Sequence, residues 1–265
     1  MRLMSGENIQ SFGDIRLEGR GAYAVLTIER EAKRNAMNRS AREGILRALE
    51  QARDRYSVVV LTGVGNVFCA GIDLKERARD VEQGIHTASQ EWKEVNVAIR
   101  SHPAVFIAAV NGIALGGGAT LINVCDLAIA ADTAEIGMPE MTFATYPGLA
   151  GPSTQLSLGR KRVAWMVLTA ERISAVVAER WGLVNQCVPA SDLMMTAEAL
   201  ASRIAKFEPL ALSGAKSALD QIPATITDWR QAFDFGEMVN ATIRSKTGRS
   251  NPFATALPSS GPVAQ

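Results

Sequence analysis

Three consecutive glycines, Gly116 to Gly118, stand between an apolar run at 104–110 that favours a strand and a small-residue run at 119–124 that favours a helix. A glycine turn before a helix exposes backbone N–H groups at the positive end of the helix dipole. Such groups bind an anion, either a phosphate or an oxyanion that forms during a reaction. The triplet lacks GxGxxG spacing, Gly63-Val64-Gly65 lacks the third glycine, and no GxxxxGK[ST] loop exists, so nucleotide binding is disfavoured.

An oxyanion site needs a second N–H donor from elsewhere in the chain. The segment 68–75, Phe-Cys-Ala-Gly-Ile-Asp-Leu-Lys, follows an apolar run at 58–62, and its small residues would let the backbone approach a ligand closely.

Glu140 lies in the apolar stretch Ile-Gly-Met-Pro-Glu at 136–140, and an acid in such surroundings is a candidate general acid or base. The alternative interpretation of Glu140 is a surface or capping carboxylate.

Other kinds of catalytic site find little support. The two histidines, His86 and His102, have no metal-ligand neighbour at helical spacing, and a structural role is favoured for His102. The three cysteines are widely spaced without a CxxC pair, which argues against a disulfide framework and a zinc site and favours buried small side chains. A serine hydrolase triad and a bound metal are therefore not expected.

The chain of 265 residues has a formal net charge of +1 and is 47% hydrophobic. A net charge so close to zero provides neither a basic surface that would bind nucleic acid nor a polybasic patch that would bind a membrane. No apolar run reaches the length of a transmembrane helix, and residues 1–7 do not resemble a signal peptide. We expect a cytoplasmic protein that binds neither nucleic acid nor membrane.

The elements that must position these residues alternate between strand and helix. Strands are predicted at 22–28, 58–62, 104–110 and 127–131; a helix is predicted from about Ser40, where Ser40 to Glu43 fits a capping box, and a second one around 92–99. This alternation predicts an α/β core with mostly parallel strands. Helical stretches near 193–206, 209–219 and 228–245 then follow one another.

The domain prediction is an α/β core over 1–195 and a helical region over 196–265, with a disordered tail from about 255. The helical region carries several large apolar side chains, among them Trp229 and Phe233. They could pack on their own core or form a subunit interface.

Five motifs in order resemble the enoyl-CoA hydratase/isomerase (crotonase) family, over about 14–220. They are Arg34-Asn35-Ala36-Met37, the segment 68–75, Val110-Asn111-Gly112 through the glycine triplet, Cys125 to Ala130, and Met138-Pro139-Glu140. The resemblance implies a spiral of ββα units, a helical C-terminal region used in trimer packing, and an acyl-CoA thioester substrate. It implies a homotrimer or a dimer of trimers, a place in fatty acid metabolism, and no cofactor, since coenzyme A is part of the substrate.

The resemblance also implies site roles. The backbone N–H groups of Ile72 and Gly117 would form the oxyanion hole, and Glu140 would match the second of two hydratase glutamates. The first glutamate is expected where this chain has Thr120, which can bond to water but cannot act as a base near neutral pH. The remaining expected substrate contacts are Arg34, Ala36, Ala70, Asp73, Leu74, Lys75, Gly116, Pro139 and Tyr146, of which Arg34 and Lys75 could equally be solvated charges.

A single glutamate leaves three reactions open: hydration, double-bond isomerisation and hydroxycinnamoyl-CoA hydration with chain cleavage. The stretches 73–76 and 89–92 are similar to segments of the hydratase-lyases, but Arg77 stands where their tyrosine is expected, and Tyr146 is the obvious replacement. Gly148 takes the place of the dehalogenase-like aspartate, which disfavours hydrolysis and dehalogenation. Hydration is favoured, and the alternative outside enzymes is an acyl-CoA-binding or RNA-binding protein.

Overall fold

The computed structural model describes residues 8–248. Its contacts divide the chain into two compact units, the first ending at Lys206 and the second beginning at Phe207. The predicted disordered tail and the N-terminal residues on which the signal-peptide prediction depends lie outside the described residues.

The first unit contains two sheets and eight α-helices among its described residues. The strands are β1 Ile9–Phe12, β2 Ile15–Arg20, β3 Tyr23–Ile28, β4 Val58–Gly63, β5 Val67–Cys69, β6 Val105–Val110, β7 Ile113–Leu115, β8 Leu127–Ala131, β9 Glu135–Gly137, β10 Ile173–Ser174 and β11 Gln186–Val188. The helices are α1 Arg39–Ala52, α2 Leu74–Glu82, α3 Ala88–Arg100, α4 Gly117–Val124, α5 Ala150–Ser157, α6 Arg160–Thr169, α7 Ala175–Trp181 and α8 Leu193–Ile204. Three 3₁₀ helices cover Glu31–Lys33, Pro139–Phe143 and Ala190–Asp192.

Successive strand pairs divide between the two sheets. The large sheet has the order β1-β2-β3-β4-β6-β8-β11, and the small sheet has the order β10-β9-β7-β5. The pairs β4/β5, β6/β7 and β8/β9 each give one strand to each sheet and are each followed by a helix. The chain therefore repeats a ββα unit, with parallel pairing from β3 to β11 in the large sheet and among β5, β7 and β9 in the small one.

The strongest sequence predictions are the central strands. Every residue of β4 and β6 is buried, which explains their continuous apolar sequences, because helices or the second sheet cover both faces. The predicted helix around Trp92 is α3, whose Trp92, Val95 and Ile99 are buried in the core. The antiparallel hairpin β1–β2 and the small sheet were not predicted.

The start of α1 differs from the predicted capping box. Asn38 is the N-cap, with extended backbone angles of φ −87° and ψ 177°, and its side chain accepts the Ala41 N–H at 2.9 Å. Ser40 already lies inside the helix, so its hydroxyl does not cap it. The capping-box prediction was wrong because Asn38, an equally good cap, comes two residues earlier.

The helix α8 belongs to the first unit because it packs against β4, β6 and β8, although the helical region was predicted to begin at residue 196. The second unit is described by two helices that pack on each other, α9 Pro209–Thr225 and α10 Trp229–Thr247.

Within residues 8–248, no helix combines the length and apolar character that crossing a membrane requires.

Candidate active site

The carboxyl ends of three neighbouring parallel strands build one site. In the small sheet, β7 lies between β5 and β9. The chain leaves β5 into residues 70–72, leaves β7 into the glycine triplet, and leaves β9 into residues 138–140. Parallel strands end at the same edge of a sheet, so these three segments meet there, with the glycines in the middle.

A cavity of about 710 Å³ opens at this edge. Its walls come from the three strand ends, from α2 and α3, and from the 3₁₀ helix Pro139–Phe143 with the loop that follows. The lining residues are Ala70, Gly71, Ile72, Leu74, Arg77, Ser89, Gln90, Trp92, Lys93, Gly116, Gly117, Thr120, Pro139, Glu140, Phe143, Thr145, Tyr146, Gly148, Leu149 and Ala150.

The Ile72 N–H is turned away from its neighbouring segment. Met37 pairs in parallel with Ile72: its N–H donates to the Gly71 carbonyl at 2.8 Å, and its carbonyl accepts the Asp73 N–H at 3.1 Å. Because the two residues that flank Ile72 make these bonds, the N–H of Ile72 points to the opposite side. Within the described part of the chain, it has no acceptor.

The Gly117 N–H is the first of α4, where no helical carbonyl can accept it, and no other described residue does so. Gly71 has a φ of +91°, and a Cβ there would stand 3.2 Å from the Gly117 nitrogen. The absence of side chains at both glycines therefore lets the two segments touch. Two unused backbone donors, from Ile72 and Gly117, result at neighbouring points of the cavity wall.

Glu140 is the acidic residue among those that line the cavity. The 3₁₀ helix begins at Pro139, whose fixed φ suits a first helical position, and so sets Glu140 in its first turn. The carboxyl atom Oε2 is buried with no hydrogen-bond partner in the described structure. Burial raises the pKa of the Glu140 carboxyl above its ordinary value, which suits a group that takes up and releases protons.

Thr120 lies one turn into α4, faces the cavity, and is only 2% exposed. Its Oγ1 is 3.4 Å from the Gly116 carbonyl, a long bond back to the preceding turn. The hydroxyl is thus weakly held and keeps its acceptor capacity for a ligand or a water.

The buried Arg42 of α1 links α2 and α3, the two helices that form one wall of the cavity. Arg42 on α1 is 1% exposed, donates to the Met37 carbonyl at 3.0 Å, and pairs with Glu91 of α3 at 2.8 Å and Glu76 of α2 at 3.4 Å. On that wall Leu74 and Arg77 share a face of α2, and Ser89 and Lys93 share a face of α3. Neither Arg77 nor Lys93 forms an ion pair with a described residue.

Nine of the predicted site residues line the cavity: Ala70, Ile72, Leu74, Gly116, Gly117, Thr120, Pro139, Glu140 and Tyr146. Four do not. Ala36 is buried, and Arg34 and Lys75 are exposed away from the lining. Asp73 caps α2 through the Lys75 and Glu76 N–H groups and pairs with Arg30 at 2.9 Å, so its carboxylate already has partners. Contacts of these four with the coenzyme remain predictions.

Several other groups have clear structural roles. His102 is buried, with Nε2 3.1 Å from the Leu49 carbonyl and Nδ1 accepting the Ala104 N–H. Burial raises the pKa of the Cys69 thiol to about 12, so it stays protonated and is a poor nucleophile. Among residues 8–248, no cluster of three or more histidine, cysteine or acidic side chains could hold a metal ion.

The sequence reasoning missed Trp92 and Phe143 as cavity residues. Trp92 was assigned to the buried face of its helix and to the stretch 89–92 that is similar to the hydratase-lyases, but not to the site, because the helical period shows burial but not what lies on the far side of the ring. Phe143 follows Glu140 by three residues in the 3₁₀ helix, a spacing that places both on one side, and this signal could have found it.

Comparisons with known proteins agree with this architecture. A family model described as enoyl-CoA hydratase/isomerase matches residues 18–248. The 2,3-dehydroadipyl-CoA hydratase of Escherichia coli K12 is 35% identical over 240 residues, which cover 84% of this chain and 92% of that protein. A probable mitochondrial enoyl-CoA hydratase 2 of Arabidopsis thaliana is 34% identical over 212 residues, which cover 78% of this chain and 70% of that protein.

The crystal structure of an enoyl-CoA hydratase from Bacillus anthracis matches with a TM-score of 0.81 and 30% identity, over 89% of this chain and 97% of that one. The spiral of ββα units with a helical C-terminal region, expected from the five motifs, is confirmed. By its family match, its relatives and its fold, the chain belongs to the enoyl-CoA hydratase/isomerase (crotonase) family.

Proposed function

We propose that this chain is a hydratase that adds water across the C2–C3 double bond of an enoyl-CoA thioester. The observation that carries the proposal is the desolvated carboxyl of Glu140, whose Oε2 has no hydrogen-bond partner in the described structure and which lies against the glycine turn beside the unused N–H groups of Ile72 and Gly117. An acid next to two backbone donors can move a proton while the donors hold the negative charge of an enolate.

In the proposed reaction the thioester oxygen accepts hydrogen bonds from the Ile72 and Gly117 N–H groups. A water oxygen bonds to C3, and one of the water protons passes to ionised Glu140 as the C2–C3 electron pair moves into the enolate. Glu140 then returns a proton to C2, which restores both the thioester carbonyl and the carboxylate. Thr120 would accept a hydrogen bond from the water and orient it.

Isomerisation remains the second candidate, and the observation that favours it is Thr120. One carboxylate suffices to remove a proton from C2 and return it to C4, so this reaction needs no second acid in the place of Thr120. The hydroxycinnamoyl-CoA alternative rests on Tyr146, which lines the cavity and is 52% exposed. A phenolic ring could hydrogen-bond to that hydroxyl.

The unpaired cations Arg77 and Lys93 favour an acyl chain whose far end is anionic. The name of the Escherichia coli relative specifies a dehydroadipyl group, which is a diacid. A monoester of a diacid would place its free carboxylate beside these two cations of α2 and α3. The acidic lining residue, Glu140, lies apart from them in the sequence, in the 3₁₀ helix Pro139–Phe143.

We further propose that the chain works as a homo-oligomer, a trimer or a dimer of trimers. The support is the second unit, where Trp229, Phe233 and Met238 of α10 are 78%, 64% and 54% exposed. Burying such side chains against another copy would be favourable. Analytical ultracentrifugation should give the native mass of a trimer or of a dimer of trimers of the 28.4 kDa chain, and the mass of a monomer or a dimer would contradict the proposal. The expected cytoplasmic location, fatty acid metabolism and lack of a resident cofactor stay predictions.

The decisive experiment offers the protein crotonyl-CoA, 2,3-dehydroadipyl-CoA, a 3-enoyl-CoA and a hydroxycinnamoyl-CoA, and identifies the products by mass spectrometry. A gain of one water without chain cleavage supports hydration; an unchanged mass with a shifted double bond supports isomerisation; a shorter acyl-CoA with an aldehyde supports the lyase. If none of the four thioesters reacts, the enzymatic proposal is wrong for these substrates. A salt-dependent RNA shift would then favour the RNA-binding alternative.

A further inference from the structure

The indole N–H of Trp92 is a buried donor without an acceptor. Trp92 is 1% exposed, and its Nε1 is one of four buried side-chain polar atoms in the described structure that have no hydrogen-bond partner. The others are Asn96 Oδ1, Asn123 Oδ1 and Glu140 Oε2. Only Trp92 and Glu140 of these four residues line the cavity.

Trp92 and Glu140 lie beside consecutive residues of the glycine turn. A Cβ on Gly116 would stand 2.5 Å from Glu140 Oε1, and a Cβ on Gly117 would stand 3.0 Å from Trp92 Nε1. The carboxyl therefore lies against the residue that precedes the Gly117 N–H, and the indole nitrogen lies against Gly117 itself. A ligand oxygen bound to the Gly117 N–H would have both a proton-transfer group and a third donor near it.

No described residue accepts this N–H, so its acceptor is a ligand or a water. An indole nitrogen can only donate, so it needs a lone pair, and a buried donor left without one is destabilising. Phenylalanine would fill similar space without that penalty. The ring cannot turn towards solvent, because Trp92 is enclosed by the core.

We propose that Trp92 donates its indole N–H to the thioester oxygen of the substrate and so adds a third donor to the two backbone N–H groups. The inference rests on the proposed function, because it needs a thioester at Gly117. A neutral donor that is already desolvated and held by the core stabilises developing negative charge without reorganising. It would offset in part the lack of a second glutamate.

The test compares Trp92→Phe with Trp165→Phe, a matched change at a tryptophan that is 52% exposed and outside the cavity. Trp92→Phe should lower kcat by roughly 10- to 100-fold, with a smaller change in KM and a native circular dichroism spectrum. It should also weaken binding of acetoacetyl-CoA and reduce the enolate absorbance of the bound ligand. Trp165→Phe should change none of these. Equal kcat and equal enolate absorbance in the two variants would overturn the proposal.

A measurement on native Trp92 keeps the test decisive if Trp92→Phe does not fold. The triple variant W165F/W181F/W229F leaves Trp92 as the single tryptophan. Its one indole N–H resonance should move downfield on addition of acetoacetyl-CoA and stay in place with free coenzyme A. If acetoacetyl-CoA binds and the resonance does not move, the proposed role of Trp92 is wrong, and the proposed function is unaffected. Failure of the unmodified protein to bind acetoacetyl-CoA contradicts the proposed function, and the role of Trp92 with it.

Discussion

The Glu140 carboxyl packs directly against the backbone of Gly116: its Oε1 stands 2.5 Å from the position that a Cβ on Gly116 would take. The residues come from the ends of neighbouring strands, β7 and β9. The same turn holds the Gly117 N–H, so the position of the acid and the position of the oxyanion donor are set by one short piece of backbone.

We expect Gly116→Ala to displace Glu140 and to lower kcat by at least about tenfold, since a misplaced acid loses much of its effect. The φ of Gly116 is +51°, so alanine also costs about 1–3 kcal/mol of backbone strain. Gly84→Ala is the matched control: its φ is +73° and no atom lies within 4 Å of its Cβ position. Equal kcat in the two variants would show that the contact with Glu140 has no part in catalysis. Steady-state kinetics and thermal melts measure both effects.

Glu140→Gln should lower kcat by about 10²- to 10⁴-fold, because the amide keeps the shape of the side chain but cannot transfer the proton. Binding of a saturated acyl-CoA, measured by calorimetry, should change little. A variant with full activity would show that Glu140 is not the acid or base.

The pH dependence of stability in the native chain and in Glu140→Gln tests whether the pKa of the carboxyl is raised. Burial raises the pKa of folded Glu140, so its contribution to stability is complete below the unfolded pKa and is lost as pH rises through the folded pKa. Glu140→Gln should therefore gain stability relative to the native chain between about pH 4 and pH 7, as measured by urea unfolding. The activity of the native chain should fall as the pH is lowered, with a midpoint above the ordinary glutamate pKa of about 4.3. A stability difference that is the same at both pH values would contradict the raised pKa.

Thr120→Val separates hydration from isomerisation. Valine keeps the volume of this 2% exposed side chain but cannot accept a hydrogen bond from water. If Thr120 orients the water, hydration of crotonyl-CoA should slow by roughly tenfold, and any isomerisation of a 3-enoyl-CoA should be unchanged. Equal slowing of both reactions would instead indicate a packing defect.

Arg42→Met should destabilise the fold by about 3–5 kcal/mol, because it leaves Glu76 and Glu91 without their buried cation. Arg172→Met is the control. Arg172 pairs with Glu135 at 3.0 Å, but the two side chains are 46% and 50% exposed, so its loss should cost less than about 1 kcal/mol. Denaturant unfolding measures both values. Similar losses in the two variants would show that the burial of Arg42 has no special weight.

Much of the fold could be predicted because its central elements carry local signals. The strands β4 and β6 are apolar throughout, and the period of α3 marks its buried face. The small sheet could not be predicted, since β5, β7 and β9 have three residues each, too few to show a period of two. The capping residue of α1 was misplaced by two positions because Asn38 and Ser40 are both good caps and only the backbone angles distinguish them.

The sequence by itself determined the family and the chemical inventory: a glycine triplet, a small-residue segment before Asp73, and one acid at Glu140 in an apolar stretch. These signals are local, so residue types and their order suffice to read them. Only the tertiary structure decided which neighbour each glycine meets. Gly116 faces Glu140, Gly117 faces Trp92, and a side chain on Gly118 would overlap the Cys69 carbonyl. Those neighbours are distant in the chain and come together only when the small sheet aligns its strand ends, which is also why the unpaired N–H of Trp92 could not be foreseen.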